Sequence, residues 1–157
     1  MLSALLSELV RNHFPAPAAS EADINAFESR VGWSLDEELR SFYRCCNGAR
    51  LFRNVDSQYW ILPLDRIVRT RVAIYGRDEA ERGPDSWYAI CDTGEGDFVS
   101  IDHRKTIDGR YPLFDCFHET FHRSEERQMI ARSFSDFLAR ALKSEGSLYW
   151  LSSSFMP

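Results

Sequence analysis

Two histidines and a glutamate near the end of the chain have a spacing that suits metal chemistry. The segment 118–122 reads His-Glu-Thr-Phe-His, the H-E-x-x-H pattern of zinc proteases. On a helix, His118 and His122 would share one face and bind zinc, while Glu119 acts as general base. This hypothesis, a zinc-dependent hydrolase, requires residues 116–126 to be helical and a third ligand to come from elsewhere.

The residues around this motif favour a different conformation. The preceding run YPLFDCF (111–117) is aromatic and typical of a strand, and the polar run SEER (124–127) separates the motif from a later helix. Short motifs also arise by chance. We therefore interpret the segment as a strand that leads into a turn, and we predict no catalytic residue, no metal site and no cofactor.

Other patterns that carry chemistry are weak in this sequence. No G-x-S-x-G nucleophile motif occurs. The run TGEG (93–96) has two glycines but no lysine and no adjacent helix pattern, so it predicts a turn rather than a phosphate-binding loop. The sequence therefore favours a protein that is not an enzyme.

Composition and length predict a single folded domain over residues 1–157. The chain is 44% hydrophobic and 13% aromatic, and its formal net charge of −5 argues against nucleic acid as a partner. Its four cysteines form no C-x-x-C, and its apolar start lacks the basic region of a signal peptide. No run is long enough to cross a membrane. We expect a cytoplasmic protein without a membrane partner.

The periodicity places helices first, then strands, then a last helix. Capping-box pairs predict three helix starts, at Ser20–Asp23, Ser34–Glu37 and Ser133–Asp136. A further short helix is expected to be capped by Asp65. The predicted strands cover residues 58–62, 86–92, 97–102 and 111–117. This order predicts an α+β fold with a central antiparallel sheet flanked by short helices.

Four segments, in this order, resemble the SMI1/KNR4 family of the SUKH superfamily. They are FESRVGWSLDEELRSFYRCCNGARLF (27–52), SWYAICDTGEGDFVSID (86–102), PLFDCFHET (112–120) and IARSFSDFL (130–138). One departure is Asp36, where the family usually has proline. The resemblance spans about residues 20–143 and implies the same α+β fold. Bacterial members are immunity proteins that bind and block toxins, and fungal members are linked to cell-wall synthesis and signalling.

The resemblance therefore implies a non-enzymatic immunity protein that covers the active site or the substrate groove of a bacterial toxin. A regulatory or scaffold module is the first alternative, and the zinc hydrolase is the second. An acidic chain suits a basic protein partner, so we expect a basic toxin domain such as a nuclease. The oligomeric state is left open.

Recognition of a basic partner is expected to use exposed acidic and aromatic side chains in loops and at strand ends. The four tryptophans are expected to belong mainly to the core. The predicted partner-binding residues are Asp56, Tyr59, Asp92, Glu95, Asp97, Asp102 and Glu119.

Overall fold

The computed structural model describes residues 1–52, 59–123 and 127–157. In these residues the chain forms five α-helices and seven β-strands, which confirms the predicted α+β class. The helices are α1 (Leu2–Asn12), α2 (Glu21–Val31), α3 (Glu37–Cys45), α4 (Thr70–Tyr75) and α5 (Phe134–Lys143). The strands are β1 (Phe14–Pro15), β2 (Ala49–Arg50), β3 (Trp60–Ile61), β4 (Trp87–Gly94), β5 (Asp97–Asp102), β6 (Leu113–Cys116) and β7 (Met129–Ala131).

All seven strands belong to one antiparallel sheet, as predicted. Their order in the sheet is their order in the chain, so consecutive strands pair and β1 and β7 form the two edges. The β4–β5 hairpin is the longest pairing and forms the centre of the sheet. The helical segments lie in the connections between β1 and β2, between β3 and β4, and at both ends of the chain.

Two of the three predicted helix starts form at the expected serine. In α2, Ser20 accepts a hydrogen bond from the backbone N–H of Asp23, and the Asp23 carboxylate accepts one from the N–H of Ser20. In α5, Ser133 likewise accepts from the N–H of Asp136. The Asp136 carboxylate, however, accepts from the N–H of Arg132 rather than from that of the capping residue.

The predicted cap of α3 at Ser34 is wrong, because Asp36 takes that position. One Asp36 carboxylate oxygen accepts from the N–H of Leu39 at 2.9 Å, and the other accepts from the N–H of Tyr111 at 2.8 Å. Asp36 thus caps the helix and also joins it to the chain just before β6. The predicted cap at Asp65 is also wrong: it lies inside a 3-10 turn, and α4 starts at Thr70 without a side-chain cap.

The main core lies between four helices and one face of the sheet. Its largest fully buried side chains come from α3, α5 and the strand region, and they include Phe42, Tyr43, Tyr59, Ile61, Phe134 and Phe137. Three of the four tryptophans are buried as predicted: Trp33, Trp87 and Trp150 are 4–7% exposed. Trp60 differs, because its side chain is only half-buried.

A smaller apolar cluster lies on the opposite face of the sheet. Trp87, Phe114, Cys116 and Phe121 form it, with side chains of α4 packed against them. The Thr70 hydroxyl at the start of α4 donates to Ser100 of β5 at 2.8 Å in a buried position. Helix α4 thus covers β4 and β5 on this face. None of the helices in the described residues is both long and apolar enough to cross a membrane.

Candidate partner-binding surface

The H-E-x-x-H segment is a strand end followed by a turn, which confirms the prediction. Strand β6 ends at Cys116, and residues 118–123 form turns rather than a regular helix. One helix-like hydrogen bond, from the N–H of Phe121 to the carbonyl of Phe117, closes the bend. In 116–123, the described part of the segment, the helix that the zinc hypothesis requires does not form.

Both histidines of the motif make contacts within the protein. His118 Nδ1 lies 2.8 Å from an Asp97 carboxylate oxygen, which also accepts the His118 backbone N–H at 2.9 Å. His122 Nδ1 lies 2.8 Å from the hydroxyl of Tyr75 in α4. In the parts of the chain that the structure describes, no three His, Cys, Asp or Glu side chains are grouped so that they could hold a metal ion.

The tip of the β4–β5 hairpin presents an exposed acid in a fixed conformation. Gly94, Glu95 and Gly96 all have positive φ, at 88°, 55° and 82°. Glycine adopts this region without strain, whereas a residue with a side chain needs support from its surroundings. Here the Asp92 carboxylate accepts the N–H of Gly94 at 2.8 Å. The sequence TGEG therefore builds a tight tip with Glu95 exposed at its apex.

The turn after β6 lies beside this hairpin and adds a second exposed acid. His118 links the two, because its ring contacts Asp97 on one side and its Nε2 lies 3.9 Å from Glu119 on the other. Glu119 is mostly exposed. We refer to Asp92, Glu95, Asp97 and Glu119 as the acidic tip. The structure thus brings together four of the seven predicted residues on one end of the sheet.

Within the acidic tip, the four carboxylates have different roles. Glu95 and Glu119 face solvent, whereas Asp92 and Asp97 are half-buried and accept hydrogen bonds from the turns. A nearby fifth acid, Asp115, is half-buried in β6. Burial raises its pKa to about 6, and the charge of Asp97 adds to this effect.

Two of the predicted contact residues are not on the surface. Tyr59 is fully buried, and its hydroxyl donates to the carbonyl of Ser147 at 2.6 Å. Asp102 is also buried, and its carboxylate accepts the N–H of Arg104. The expectation that both are exposed is therefore wrong, because a strand end in this sheet is covered by neighbouring segments. The remaining predicted residue, Asp56, lies outside the described residues.

The sequence interpretation missed an aromatic and basic group that lies in one row of the sheet with Asp92. Phe14, Arg50 and Trp60 lie opposite one another on β1, β2 and β3. The only sequence signal is the alternation of apolar and polar residues in each strand, and two-residue strands are too short for that pattern to be visible. Their alignment appears only when the strands pair.

Comparison with known proteins agrees with this architecture. The sequence matches the SMI1 / KNR4 family (SUKH-1) over residues 18–140, most of the chain. It is also 29% identical over 145 residues to Immunity protein YokJ of Bacillus subtilis (strain 168), an alignment that covers 88% of this chain and 87% of that protein. The matched region includes the hairpin, the turn after β6 and most of α5. The chain therefore belongs to the SMI1 / KNR4 family.

Proposed function

We propose that this protein is an immunity protein, which binds a bacterial toxin and neutralises it without catalysing a reaction. The observation that carries the proposal is the similarity to Immunity protein YokJ over 88% of the chain. Family membership over residues 18–140 agrees with it. In this proposal the protein acts by occlusion: it covers the active site or the substrate groove of the toxin.

The acidic tip is the surface that we propose faces the toxin. Glu95 and Glu119 are exposed, and the hairpin that carries Glu95 is fixed by two glycines and by the Asp92 carboxylate. A preordered surface loses little conformational entropy on binding, and its negative charge attracts a basic partner. Toxins that cut nucleic acid need a basic surface for phosphates, so a nuclease domain is the proposed class of target.

The proposed location is the cytoplasm, where such a protein would meet a toxin that has entered the cell. All four cysteines are free, and three of them are buried. Free, buried thiols are typical of proteins in a reducing compartment.

The test is a binding and protection experiment with the product of the neighbouring gene, prepared as a catalytically inactive variant. We expect a stable one-to-one complex, and we expect co-expression of this protein to protect cells from the active toxin. Capture of housekeeping or cell-wall proteins alone, without protection, would contradict the proposal and favour a scaffold role.

The role of the acidic tip is tested with the double variant Glu95→Lys/Glu119→Lys. Because both side chains are exposed, we expect the fold to be retained and toxin affinity to fall by about tenfold or more. The matched control is Glu81→Lys/Glu145→Lys, which changes the net charge equally at two other exposed acids. Equal affinities for the two variants would show that this surface does not face the toxin. Asp97 is left unchanged because it holds His118 in place.

A further inference from the structure

One row of residues crosses the outer face of the sheet, the face opposite the main core. Pairing of the strands places five residues opposite one another in order: Phe14, Arg50, Trp60, Asp92 and Phe98. Helix α4 covers part of this face over β4 and β5. Over β1, β2 and β3 the row is open: Phe14 and Arg50 are exposed and Trp60 is half-buried.

Two arginines lie around the Trp60 ring in this open part. The guanidinium carbon of Arg50 lies 4.0 Å from the ring centroid, and that of Arg66 lies 5.3 Å from it. Such cation–π contacts hold a guanidinium over the ring and leave its N–H groups free to bind an acceptor. We refer to Arg50, Trp60 and Arg66 as the Arg–Trp–Arg site.

Among the arginines that the structure describes, these two differ from many others because no carboxylate of the described residues lies within 4.0 Å of them. Many arginines are within 4.0 Å of a carboxylate, among them Arg40, Arg69, Arg71 and Arg140. Arg50 and Arg66 have no such partner in residues 1–52, 59–123 and 127–157, and both are exposed. Unpaired guanidiniums held over a ring form a site ready for an anion.

The site borders a groove large enough for a side chain and its flanking backbone. The groove has a volume of about 610 Å³, and its other walls include Phe14, Pro15, Pro17 and Asp65. Arg50 and Arg66 outnumber Asp65, so the local charge is positive in a chain whose net charge is −5. Pro15 has no N–H and β1 has two residues, so a partner cannot simply add a strand at this edge.

We propose that the Arg–Trp–Arg site is a second contact for the toxin and binds a carboxylate from an acidic segment of it. This inference rests on the proposed function and adds the chemistry of a second contact. Arginine and tryptophan are the residues most often responsible for binding energy at protein interfaces. A protein partner suits the surroundings better than nucleic acid does, because Phe14, Pro15 and Pro17 form an apolar wall of the groove and the net charge of −5 opposes a long phosphate chain.

The two contacts together would orient the toxin. The acidic tip binds basic side chains, and the Arg–Trp–Arg site binds a carboxylate beside it, because Asp92 of the acidic tip lies opposite Trp60. An interface of ordinary size, about 800 Å² on each partner, is wide enough to include both. Opposite charges at its two ends favour one orientation over the reverse.

The first experiment tests the carboxylate site without any toxin. The probe is acetyl-tetraglutamate amide, with acetyl-tetralysine amide as its control, and the readout is the NMR signal of the Trp60 indole N–H, identified through Trp60→Phe. We expect a saturable shift with the glutamate peptide alone, and at least tenfold weaker binding to Arg50→Glu/Arg66→Glu. Equal shifts of the Trp60 signal with both peptides, or an unchanged shift in the Arg50→Glu/Arg66→Glu variant, would contradict the proposed carboxylate site.

The second experiment uses the complex with the inactive toxin. We expect Arg50→Glu/Arg66→Glu to weaken toxin binding at least tenfold, and Arg50→Lys/Arg66→Lys to weaken it less, because the charge remains while the planar guanidinium is lost. The matched control is Arg11→Glu/Arg132→Glu, at two other exposed arginines. Wild-type affinity in the first variant would overturn the proposed contact. If the wild-type protein binds no toxin, the proposed function fails, while the peptide titration still decides whether a carboxylate site exists.

Discussion

The two faces of the central sheet use alternate residues of the same strands for different purposes. On the inner face, Ala49, Ile61, Cys91 and Val99 lie opposite one another and are all buried in the main core. The outer face carries a second row, formed by the residues next to these in each strand: Arg50, Trp60, Asp92 and Phe98. These side chains are exposed or half-buried. One residue along a strand separates a core position from a surface position.

This difference indicates how such a fold can keep its stability while its binding surface changes. The inner row contains small and branched apolar side chains, which fit tightly between the sheet and the helices. The outer row contains charged and aromatic side chains, whose replacement leaves no cavity in that core. Substitutions on the two faces should therefore affect different properties, and the following predictions test that separation.

The largest effect is expected from neighbouring substitutions in β3. Ile61→Ala removes a fully buried side chain from the inner row and should lower the free energy of unfolding by about 3 kcal/mol. Trp60→Ala removes a half-buried side chain from the outer row and should lower it by less than about 1.5 kcal/mol. Urea denaturation of both variants measures these changes.

For toxin binding, we expect the order of the effects at these two positions to be reversed. Trp60→Ala should weaken toxin binding, while Ile61→Val, a milder change than Ile61→Ala, should leave it near the wild-type value. Equal losses of stability for Trp60→Ala and Ile61→Ala would contradict the separation of the two faces. The slopes of the denaturation curves should agree between variants, because a changed slope would indicate an altered unfolded state.

A smaller effect, a gain in stability, is expected from replacing Asp115, which continues the inner row onto β6 as a charged residue. It pairs with Val99, and burial raises its pKa from the usual 3.8 to about 6, with a further contribution from Asp97. The folded protein therefore binds a proton more readily than the unfolded chain between about pH 4 and pH 6. The contribution of Asp115 to the free energy of unfolding therefore rises as the pH falls from 7 through 6 toward 4.

Asp115→Asn removes the ionised carboxylate and should raise the free energy of unfolding at pH 7, by on the order of 1 kcal/mol after allowing for partial exposure. The variant should also show a smaller gain between pH 7 and pH 5 than the wild type. Denaturation at several pH values measures both effects. If the variant is less stable than the wild type at pH 7 and has the same pH dependence, burial does not destabilise the ionised Asp115 carboxylate.

The sequence was most informative where a local rule determines the structure. The start of α2 at Ser20, its end at Gly32 and the hairpin around TGEG follow from capping and turn preferences of a few residues. The central hairpin and the α+β class were therefore predicted correctly. Strands β1, β2 and β7 were missed because they have two or three residues each and depend on their partners rather than on a pattern of their own.

The candidate surface was less predictable for the same reason. Tyr59 and Trp60 are adjacent, yet Tyr59 is buried and the half-exposed residue is Trp60. Which of the two faces outward depends on the pairing of β3 with β2 and β4, which a single sequence does not specify. The Arg–Trp–Arg site depends further on Arg66, which comes from a turn beyond the strand.

The smallest effect on stability is expected from replacing Tyr75, in the part of the outer face that α4 covers. Its side chain contacts the turn of the H-E-x-x-H segment. Its hydroxyl donates to the carbonyl of His118 at 2.9 Å and accepts the N–H of His122 at 3.1 Å. Tyr75→Phe removes these contacts but keeps the ring, so we expect a loss of about 1 kcal/mol and faster hydrogen exchange in 118–123. Exchange on the inner face should be unchanged.

The matched control is Tyr111→Phe, which removes a single hydroxyl hydrogen bond, to the carbonyl of Ser34, from a side chain of the main core. It should lower stability by a similar amount without faster exchange in the turn. If Tyr75→Phe instead leaves exchange in 118–123 unchanged, the turn does not depend on α4, and packing of Phe121 against Trp87 would be its main support. Faster exchange would mean that the Tyr75 hydroxyl, which contacts both histidines of the zinc-protease pattern, attaches this turn to α4.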